Sequence, residues 1–362
     1  MKPFSLLIKP TSADCNMQCT YCFYLKKQKL YPQIRKHRMS DRLLEQMIKS
    51  YLSTEQPAYI FGWQGGEPTL MGLNFFKRIT ELQKKYAPPN ARIINGLQTN
   101  GTLITDSLAK HLAHHRFLVG CSLDGPPELH NQYRRFANQK GSHSTVLEGI
   151  TRLKKHGVEF NILALVSKSN VHKAKEVYQY LVKQGFHYHQ YIPCVEFDQN
   201  GNLLSFSITG EEWGQFLCEL FDLWYQRDVF TISIRNFDDI LNKMSKNLIT
   251  SCSLAENCCQ YFVVEHNGDI YPCDFFVEKN LQIGNISEIT WEAALSSQVY
   301  RKFGSQKSEV SSDCRICDFF DLCMGDCLKH RKKKGQPDGI SHLCEGWKKF
   351  FRHSRESFAS LY

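Results

Sequence analysis

Three closely spaced cysteines near the N-terminus restrict most strongly what this chain can form. Cys15, Cys19 and Cys22 have the spacing C-x3-C-x2-C and follow a short apolar run at residues 4–8. Three thiolates on one loop can ligate three irons of a cubic [4Fe–4S] cluster and leave the fourth iron open to a small molecule. A closed zinc site needs four protein ligands, and the next histidine, His37, lies fifteen residues further on. The spacing therefore favours a catalytic iron–sulfur cluster over a zinc knuckle.

Strand-like and helix-like segments alternate over roughly the first 195 residues. Apolar runs predict strands at residues 4–8, 58–63, 92–98, 117–123, 158–166 and 188–193. Helical periodicity predicts helices at residues 40–53, 74–86, 105–115, 143–156 and 171–184. Six βα units imply a parallel sheet with its helices outside. We therefore expect an α/β fold with a partial (β/α)6 barrel, whose ligands gather at the C-terminal ends of the strands.

A cysteine-rich segment follows the barrel. Its members are Cys252, Cys258, Cys259, Cys273, Cys314, Cys317, Cys323, Cys327 and Cys344. Asn267-Gly268 lies between two apolar runs and predicts a β-hairpin. Without Cys259, eight cysteines remain, enough for two fully ligated clusters. Pairs spaced C-x2-C also occur in zinc ribbons, so both interpretations stay open on spacing, and the N-terminal cysteine loop favours clusters.

Composition excludes several classes of protein. The 362 residues are 42% hydrophobic and 22% charged, as in a soluble globular protein with one larger and one smaller domain. No apolar run reaches the roughly 18 residues of a membrane span. The short stretch before the cysteine loop leaves no room for a signal peptide. Fifteen cysteines without a signal peptide indicate cluster ligation in a reducing, oxygen-poor cytoplasm rather than disulfides.

The net charge of +9 includes a basic run at residues 330–334. No interleaved aromatic residues or nucleic-acid motif accompany this charge, so we expect no nucleic-acid partner. A basic surface favours an acidic protein partner instead.

Four phrases carry a family resemblance: CFY at 22–24, WQGGEPTL at 63–70, LQTNGTL at 97–103 and YPCD at 271–274. With the cysteine pattern, they resemble the radical S-adenosylmethionine (SAM) superfamily with a SPASM domain, and within it the anaerobic sulfatase-maturating enzymes. The resemblance covers essentially the whole chain. It implies a partial barrel with a bridging helix at residues 1–234, a SPASM domain at 235–346 and a C-terminal helix at 347–362.

The resemblance implies three [4Fe–4S] clusters and SAM as cofactors. The cluster on Cys15, Cys19 and Cys22 would bind SAM through its open iron and cleave it to methionine and a 5′-deoxyadenosyl radical. Five residues match SAM-contacting positions: Gly66 for the methionine amino group, Ser122 and Arg134 for its carboxylate, and Tyr21 and Val195 for the adenosyl part. From sequence alone, Arg134 is also compatible with an ordinary surface arginine.

The same matching divides the C-terminal cysteines into two auxiliary clusters. Auxiliary cluster I would be held by Cys252, Cys258, Cys273 and Cys327. Auxiliary cluster II would be held by Cys314, Cys317, Cys323 and Cys344. Four cysteines are left over and are predicted to be small apolar residues: Cys121, Cys194, Cys218 and Cys259.

The reaction implied by the resemblance is an oxidoreductase reaction, the post-translational oxidation of a sulfatase cysteine or serine to Cα-formylglycine. The radical takes a Cβ hydrogen, Asp274 accepts the thiol or hydroxyl proton, and an electron leaves to an auxiliary cluster. This yields an aldehyde from serine or a thioaldehyde from cysteine, and the thioaldehyde hydrolyses. Sequence alone equally allows Asp274 to be a hairpin-end aspartate that binds local backbone. Tyr24, Gln64 and Gln98 match polar positions at the barrel mouth.

The expected partners are an unfolded or nascent sulfatase segment, Cys/Ser-x-Pro-x-Arg, and an electron donor such as flavodoxin or ferredoxin. Two other functions stay open. One is a radical SAM enzyme that forms thioether or carbon–carbon crosslinks in a ribosomal peptide. The other is a non-enzymatic electron carrier, which the three-cysteine loop and the Gly65-Gly66 turn oppose.

Overall fold

The computed structural model describes residues 2–331 and 339–361, so residues 332–334 of the basic run lie outside the described part. The chain divides into two compact units. Unit 1 consists of Met1–Ser122, Arg134–Phe160 and Cys259–Gly304. Unit 2 consists of Leu123–Tyr133, Asn161–Cys258 and Ser305–Tyr362. The domain boundaries expected at residues 234 and 346 stay predictions.

The strands within the described ranges agree closely with the apolar runs. They are β1 Ser5–Lys9, β2 Tyr59–Trp63, β3 Ile93–Thr99, β4 Leu118–Ser122, β5 Phe160–Val166, β6 Tyr188–Pro193, β7 Ser233–Ile234, β8 Tyr261–Glu265, β9 Asp269–Tyr271 and β10 Gly284–Asn285. The six predicted barrel strands are all confirmed. The antiparallel pair β8 and β9 confirms the hairpin at Asn267-Gly268.

The helices follow the predicted alternation. They are α1 Asp41–Leu52, α2 Gly72–Tyr86, α3 Asp106–His114, α4 Pro127–Tyr133, α5 His143–Lys155, α6 Ala174–Lys183, α7 Gly210–Arg227, α8 Arg235–Lys246, α9 Trp291–Ser296, α10 Gln298–Ser305, α11 Ser312–Arg315, α12 Phe320–Cys323 and α13 Cys344–Ala359. Ser40 caps α1 through its side chain, as its sequence position indicates. Among the described helices, none is long and apolar enough to cross a membrane.

Unit 1 contains a mixed sheet in the order β10-β9-β8-β1-β2-β3-β4. β1 is parallel to both β2 and β8, and β2, β3 and β4 continue in parallel. The core against this sheet is built from buried aliphatic and aromatic side chains, including Ile8, Phe61 and Trp63. The parallel strands place their C-terminal ends at one edge, where the candidate site residues lie. The parallel pairing of β8 with β1 was not predicted.

Unit 2 contains the parallel strands β5, β6 and β7 and the close helix pair α7 and α13. Glycines allow this close approach. A Cβ atom at Gly346 would lie 2.1 Å from the carbonyl oxygen of Gly210, and one at Gly214 would lie 2.7 Å from Cα of Gly346. In neither unit do the described strands close into a full barrel, in agreement with the expected open α/β fold.

Adding one methyl group between α7 and α13 tests this contact. We expect Gly346→Ala to lower the free energy of unfolding by about 1–3 kcal/mol, because the backbone at Gly210 cannot move aside. Glu356→Ala, at an exposed position of α13, is the control and should change it little. Urea unfolding of both variants measures the difference. Equal stability in the two variants would show that the helices separate at no cost.

Candidate active site

The cysteine loop begins six residues after β1. The backbone N–H of Met17 donates to Cys15 Sγ at 3.4 Å, and the Asn100 side-chain amide lies 3.6 Å from the same sulfur. Burial raises the pKa of Cys15 to about 12 and that of Cys22 to about 11, and the three thiols influence one another electrostatically. Thiolate ligation releases these protons. Three thiols on one loop are the donor set that an iron–sulfur cube with one open iron requires.

The Gly65-Gly66-Glu67 turn packs against the backbone just before the cysteines. The Gly66 N–H donates to the Ser12 carbonyl oxygen at 2.8 Å, and a Cβ at Gly66 would lie 2.1 Å from the Asp14 carbonyl oxygen. The glycines are therefore required for the close approach of two loops. The Gly66 carbonyl oxygen is the polar group of this residue suited to a ligand amino group.

Glu67 organises the neighbouring strand end. Its buried carboxylate accepts hydrogen bonds from the Thr69 and Asn100 backbone amides at 3.0 and 2.7 Å, and from the Thr99 hydroxyl at 2.8 Å. Burial raises the pKa of Glu67, while these donors oppose the shift. The carboxylate thus fixes Asn100, whose side chain reaches the Cys15 sulfur.

Two of the predicted SAM-contacting residues touch each other. Arg134 Nη1 donates to the Tyr21 hydroxyl at 3.0 Å, and its guanidinium lies 6.0 Å from the centroid of that ring. Ser122 ends β4 in the same unit. Val195 is buried in unit 2, two residues after β6. The roles of these residues, and that of Gly66, stay predictions.

A buried ion pair crosses the end of the pairing between β1 and β8. Lys9 Nζ lies 2.7 Å from Glu265 Oε1 and 3.5 Å from Asp274 Oδ1. The Lys9 side chain is 0% exposed. Burial disfavours its charged form, but the two carboxylates outweigh that effect and raise the pKa of Lys9. Burial would raise the pKa of Glu265, but the Lys9 charge leads the opposing effects, which hold that pKa at about 2.

The carboxylate of Asp274 is held by residues distant in sequence. The Tyr24 hydroxyl donates a short hydrogen bond to Oδ2, and Gln64 Nε2 donates to the same oxygen at 3.2 Å. Burial raises the pKa of Tyr24 well above its usual range, so the phenol stays a donor. Gln98 is exposed near the end of β3. Sequence alone left open that the Asp274 side chain binds only local backbone. Its contacts to distant residues instead favour a residue of the candidate site.

Lys9 and Glu265 were not predicted as site residues, although the sequence carries a signal for both. Lys9 directly follows the apolar run that forms β1, and Glu265 ends the apolar run that forms β8. A charged residue at the C-terminal end of a buried barrel strand is a site candidate by position. The register that pairs Lys9 with Glu265 is a tertiary feature and has no local signal.

Four C-terminal cysteines share one cavity in unit 2. Cys314, Cys317, Cys323 and Cys344 all line a space of about 100 Å³. These are the residues predicted to hold auxiliary cluster II, and four thiols around one cavity fit a fully ligated cube. Across residues 2–331 and 339–361, no three His, Cys, Asp or Glu residues converge as a single metal ion would require.

The cysteines predicted for auxiliary cluster I fall in both units. Cys252, Cys258 and Cys327 belong to unit 2, where Cys252 and Cys327 influence each other electrostatically. Cys273 belongs to unit 1 and accepts a hydrogen bond from the Tyr261 hydroxyl at 3.4 Å. Their joint role as ligands stays a prediction.

The four cysteines that are not assigned to a cluster lie in packed surroundings. Cys121, Cys194 and Cys218 are buried. Cys259 is partly buried, and its sulfur occupies the space beside Gly304, 2.0 Å from where a Cβ of that glycine would lie. These positions fit the predicted apolar role.

Comparison with known proteins agrees with this geometry. The chain matches the Radical SAM superfamily over residues 10–181 and an iron–sulfur cluster-binding domain, SPASM, over residues 252–318. A serine-type anaerobic sulfatase-maturating enzyme of Bacteroides thetaiotaomicron is 38% identical over 97% of this chain and 89% of its own length. A cysteine-type enzyme of Clostridium perfringens strain 13 is also 38% identical, over 98% and 97%.

Two solved structures resemble the chain to different degrees. Native anSMEcpe with bound AdoMet and Cp18Cys peptide has a TM-score of 0.92 and 36% identity, covering 99% of this chain and 98% of that one. Streptococcus suis SuiB bound to precursor peptide SuiA has a TM-score of 0.66 and 16% identity, covering 95% of this chain and 76% of that one, which shows a common fold alone.

The fold, the cysteine loop and the C-terminal cysteines define a radical SAM protein with a SPASM domain. Identities of 33–38% over nearly the whole chain are more specific. The chain belongs to the family of anaerobic sulfatase-maturating enzymes.

Removing the buried cation tests the network beside Asp274. We expect Lys9→Met to lower the free energy of unfolding by about 3–5 kcal/mol, because Glu265 is left buried without its counter-ion. The double variant with Glu265→Met should recover most of the loss. Lys85→Met, which breaks an exposed pair with Glu45, is the control and should have little effect. Urea unfolding measures all three, and a Lys9→Met protein as stable as the control would contradict the prediction.

Iron content tests the assignment of the cavity cysteines. We expect Cys323→Ser to reduce anaerobically reconstituted protein from about twelve to about eight irons per chain, because one cube loses a ligand. Cys218→Ser, which replaces a buried cysteine of α7, should keep the full iron content. Iron and sulfide analysis measures both. Loss of iron from the Cys218 variant alone would reverse the assignment.

Proposed function

We propose that this protein is an anaerobic sulfatase maturase, a radical SAM oxidoreductase that converts a cysteine or serine of a sulfatase to Cα-formylglycine. The observation that carries the proposal is the buried carboxylate of Asp274, held by Tyr24, Gln64 and Lys9 in unit 1. The cysteine loop of the same unit supplies the three thiols that a SAM-binding cluster needs. The family relationship supports the same conclusion.

Four residues of unit 1 are proposed to hold SAM. The Gly66 carbonyl oxygen would accept a hydrogen bond from the methionine amino group, since its own N–H is used by Ser12. Ser122 and Arg134 would bind the carboxylate, and Tyr21, already in contact with Arg134, would contact the adenosyl part. Val195 is proposed for the same part, and its contact stays a prediction.

When bound at Cys15, Cys19 and Cys22, the cluster and SAM supply the radical that removes a Cβ hydrogen from the target residue. Asp274 is the proposed acceptor of the thiol or hydroxyl proton. Serine then gives the aldehyde directly, whereas cysteine gives a thioaldehyde that water hydrolyses to the aldehyde with release of hydrogen sulfide. Tyr24 and Gln64 already donate to Oδ2, so Oδ1 is the oxygen available for that proton. The Lys9 ammonium lies 3.5 Å from Oδ1 and is the nearby positive charge, and Gln98 is proposed to lie near the substrate.

The eight remaining ligand cysteines are proposed to hold auxiliary clusters I and II, which would supply an acceptor for the electron released on oxidation. Cys252, Cys258, Cys273 and Cys327 are assigned to the first. The cavity cysteines Cys314, Cys317, Cys323 and Cys344 are assigned to the second. A flavodoxin or ferredoxin is the proposed donor of the electron that initiates cleavage of SAM, in an anaerobic cytoplasm.

Asp274→Asn is the direct test of the proposed base. We expect formylglycine formation on a Cys-x-Pro-x-Arg peptide to fall by about 10²–10⁴-fold, because an amide cannot accept the proton. SAM cleavage should continue, since it precedes proton transfer. Anaerobic assays with dithionite measure peptide mass and 5′-deoxyadenosine together. Unchanged peptide oxidation by the variant would remove Asp274 from this role.

The wild-type assay also tests the substrate. Conversion of CH2SH to CHO on the peptide supports the maturase, whereas SAM cleavage without this change contradicts it and favours peptide crosslinking. Serine-type and cysteine-type relatives are equally similar at 38% identity, so matched Ser and Cys peptides are compared. Cys218→Ser serves as the active control, because its side chain lies on α7 among core residues.

A further inference from the structure

Two lysines of unit 2 are buried without a carboxylate partner among the described residues. Lys307 is 1% exposed and Lys243 is 9% exposed. Lys307 Nζ donates to the Met324 carbonyl oxygen at 2.9 Å. Lys243 Nζ donates to the carbonyl oxygens of Leu254 and Leu322 at 2.9 and 3.4 Å. Carbonyl dipoles solvate an ammonium but leave its charge uncompensated.

Two acidic residues act electrostatically on the lysines, Asp326 on Lys307 and Asp321 on Lys243, but neither forms an ion pair with them within the described ranges. The Asp326 carboxylate is 2.9 Å from His330 Nδ1 and accepts a hydrogen bond from the Ser341 hydroxyl at 2.6 Å. Asp321 is exposed. A buried cation without a counter-ion is expensive, so this part of unit 2 has the electrostatic character of an anion site.

The carbonyl partners of both lysines lie in the cysteine segments. Leu322 and Met324 flank Cys323, and Leu254 follows Cys252 by two residues. These hydrogen bonds therefore place both ammonium groups beside the loops that carry cysteines assigned to both auxiliary clusters.

Electrostatics within unit 2 links both lysines to the cluster cysteines. Lys307 interacts with thiols assigned to both clusters, and Lys243 interacts with one of them; the thiols are Cys252, Cys258, Cys323 and Cys327 for Lys307, and Cys323 for Lys243. Burial lowers the pKa of Lys243 to about 8 and lowers that of Lys307 as well. Four thiolates around a cube make it negatively charged overall, which would supply the missing counter-charge.

Arg331 fixes the backbone that carries Lys307. Its guanidinium is buried and donates to the carbonyl oxygens of Gln306, Lys307 and Glu309 at 3.2, 2.6 and 3.0 Å. A Cβ at Gly325 would lie 3.0 Å from Arg331 Nη2. The position of Lys307 beside the cysteine loop is therefore held by packing as well as by its own hydrogen bond.

We propose that Lys307 and Lys243 together are the built-in counter-charges of the auxiliary clusters, and that they raise the reduction potentials of these clusters. One-electron reduction adds a negative charge to a cluster, and a nearby buried cation stabilises that charge. The cations thus favour acceptance of the electron released by the substrate. The inference rests on the proposed cluster ligands, and it does not depend on which peptide is oxidised.

The test separates the charge of Lys307 from its hydrogen bond. Lys307→Met removes both, Lys307→Gln keeps a neutral donor, and Lys307→Arg keeps the charge. All are made in the full chain with Cys15, Cys19 and Cys22 replaced by alanine, so that only auxiliary clusters give signals. Midpoint potentials are measured anaerobically by redox titration with electron paramagnetic resonance detection. We expect the Met and Gln variants to shift at least one auxiliary cluster to a more negative potential and the Arg variant to keep the wild-type potentials.

Lys348→Met is the matched control. Lys348 interacts electrostatically with Cys344 and Cys317, but it is partly exposed and lies 3.2 Å from Glu345. Its removal should leave both potentials unchanged, because solvent and Glu345 already compensate its charge. A shift as large as that of Lys307→Met would show a general surface effect and overturn the proposal.

Iron analysis tests the proposal in any variant that incorporates its auxiliary clusters incompletely. Suppose that Lys307→Met and Lys307→Gln lose iron while Lys307→Arg keeps its full iron content. The iron content then follows the charge at this position, which supports a counter-charge. Full loading and an unchanged potential in Lys307→Gln would show that only the hydrogen bond matters and overturn the proposal. The pair Lys243→Met and Lys243→Arg repeats the test at the second lysine, where the same dependence on charge is expected.

Discussion

The parallel pairing of β8 with β1 is the constraint on which the candidate active site depends. It joins two strands separated by about 250 residues and ends in the buried pair of Lys9 and Glu265. After β8, the chain continues through β9 and reaches Cys273 and Asp274. Because the pairing fixes this register, the Asp274 carboxylate meets Tyr24 and Gln64 from the first part of the chain. Without β8 beside β1, Asp274 would be a hairpin-end residue with no distant partners.

Two of the buried ionic groups among the described residues differ in how their charges are balanced. In unit 1, Lys9 is surrounded by two carboxylates, so the group carries its own counter-ions. In unit 2, Lys243 and Lys307 bind only carbonyl oxygens among the described residues. The first arrangement can orient a carboxylate for proton transfer. The second is suited to an anion that the protein chain does not itself supply. The surrounding cysteines indicate that this anion is an iron–sulfur cluster.

The glycine-rich turn has a structural role that its sequence pattern did not reveal. The family resemblance assigned Gly66 to the methionine amino group of SAM, and the structure shows close approach of the turn to the backbone at Ser12 and Asp14. The Glu67 carboxylate accepts hydrogen bonds from Thr99, which ends β3, and from Asn100, the residue after it. The turn therefore positions the cysteine loop, and the Gly66 carbonyl oxygen is what it offers to a ligand.

The sequence by itself determined the alternation of strands and helices, the hairpin and the cysteine spacing, because periodicity, turn residues and ligand spacing are local properties. It also indicated Asp274, through the resemblance of its surrounding residues to a family. The tertiary structure decided what surrounds that carboxylate, the pairing of Lys9 with Glu265, and the burial of Lys243 and Lys307 among cysteine loops. Strand register and the absence of a counter-ion depend on residues far apart in the chain, so no local pattern encodes them.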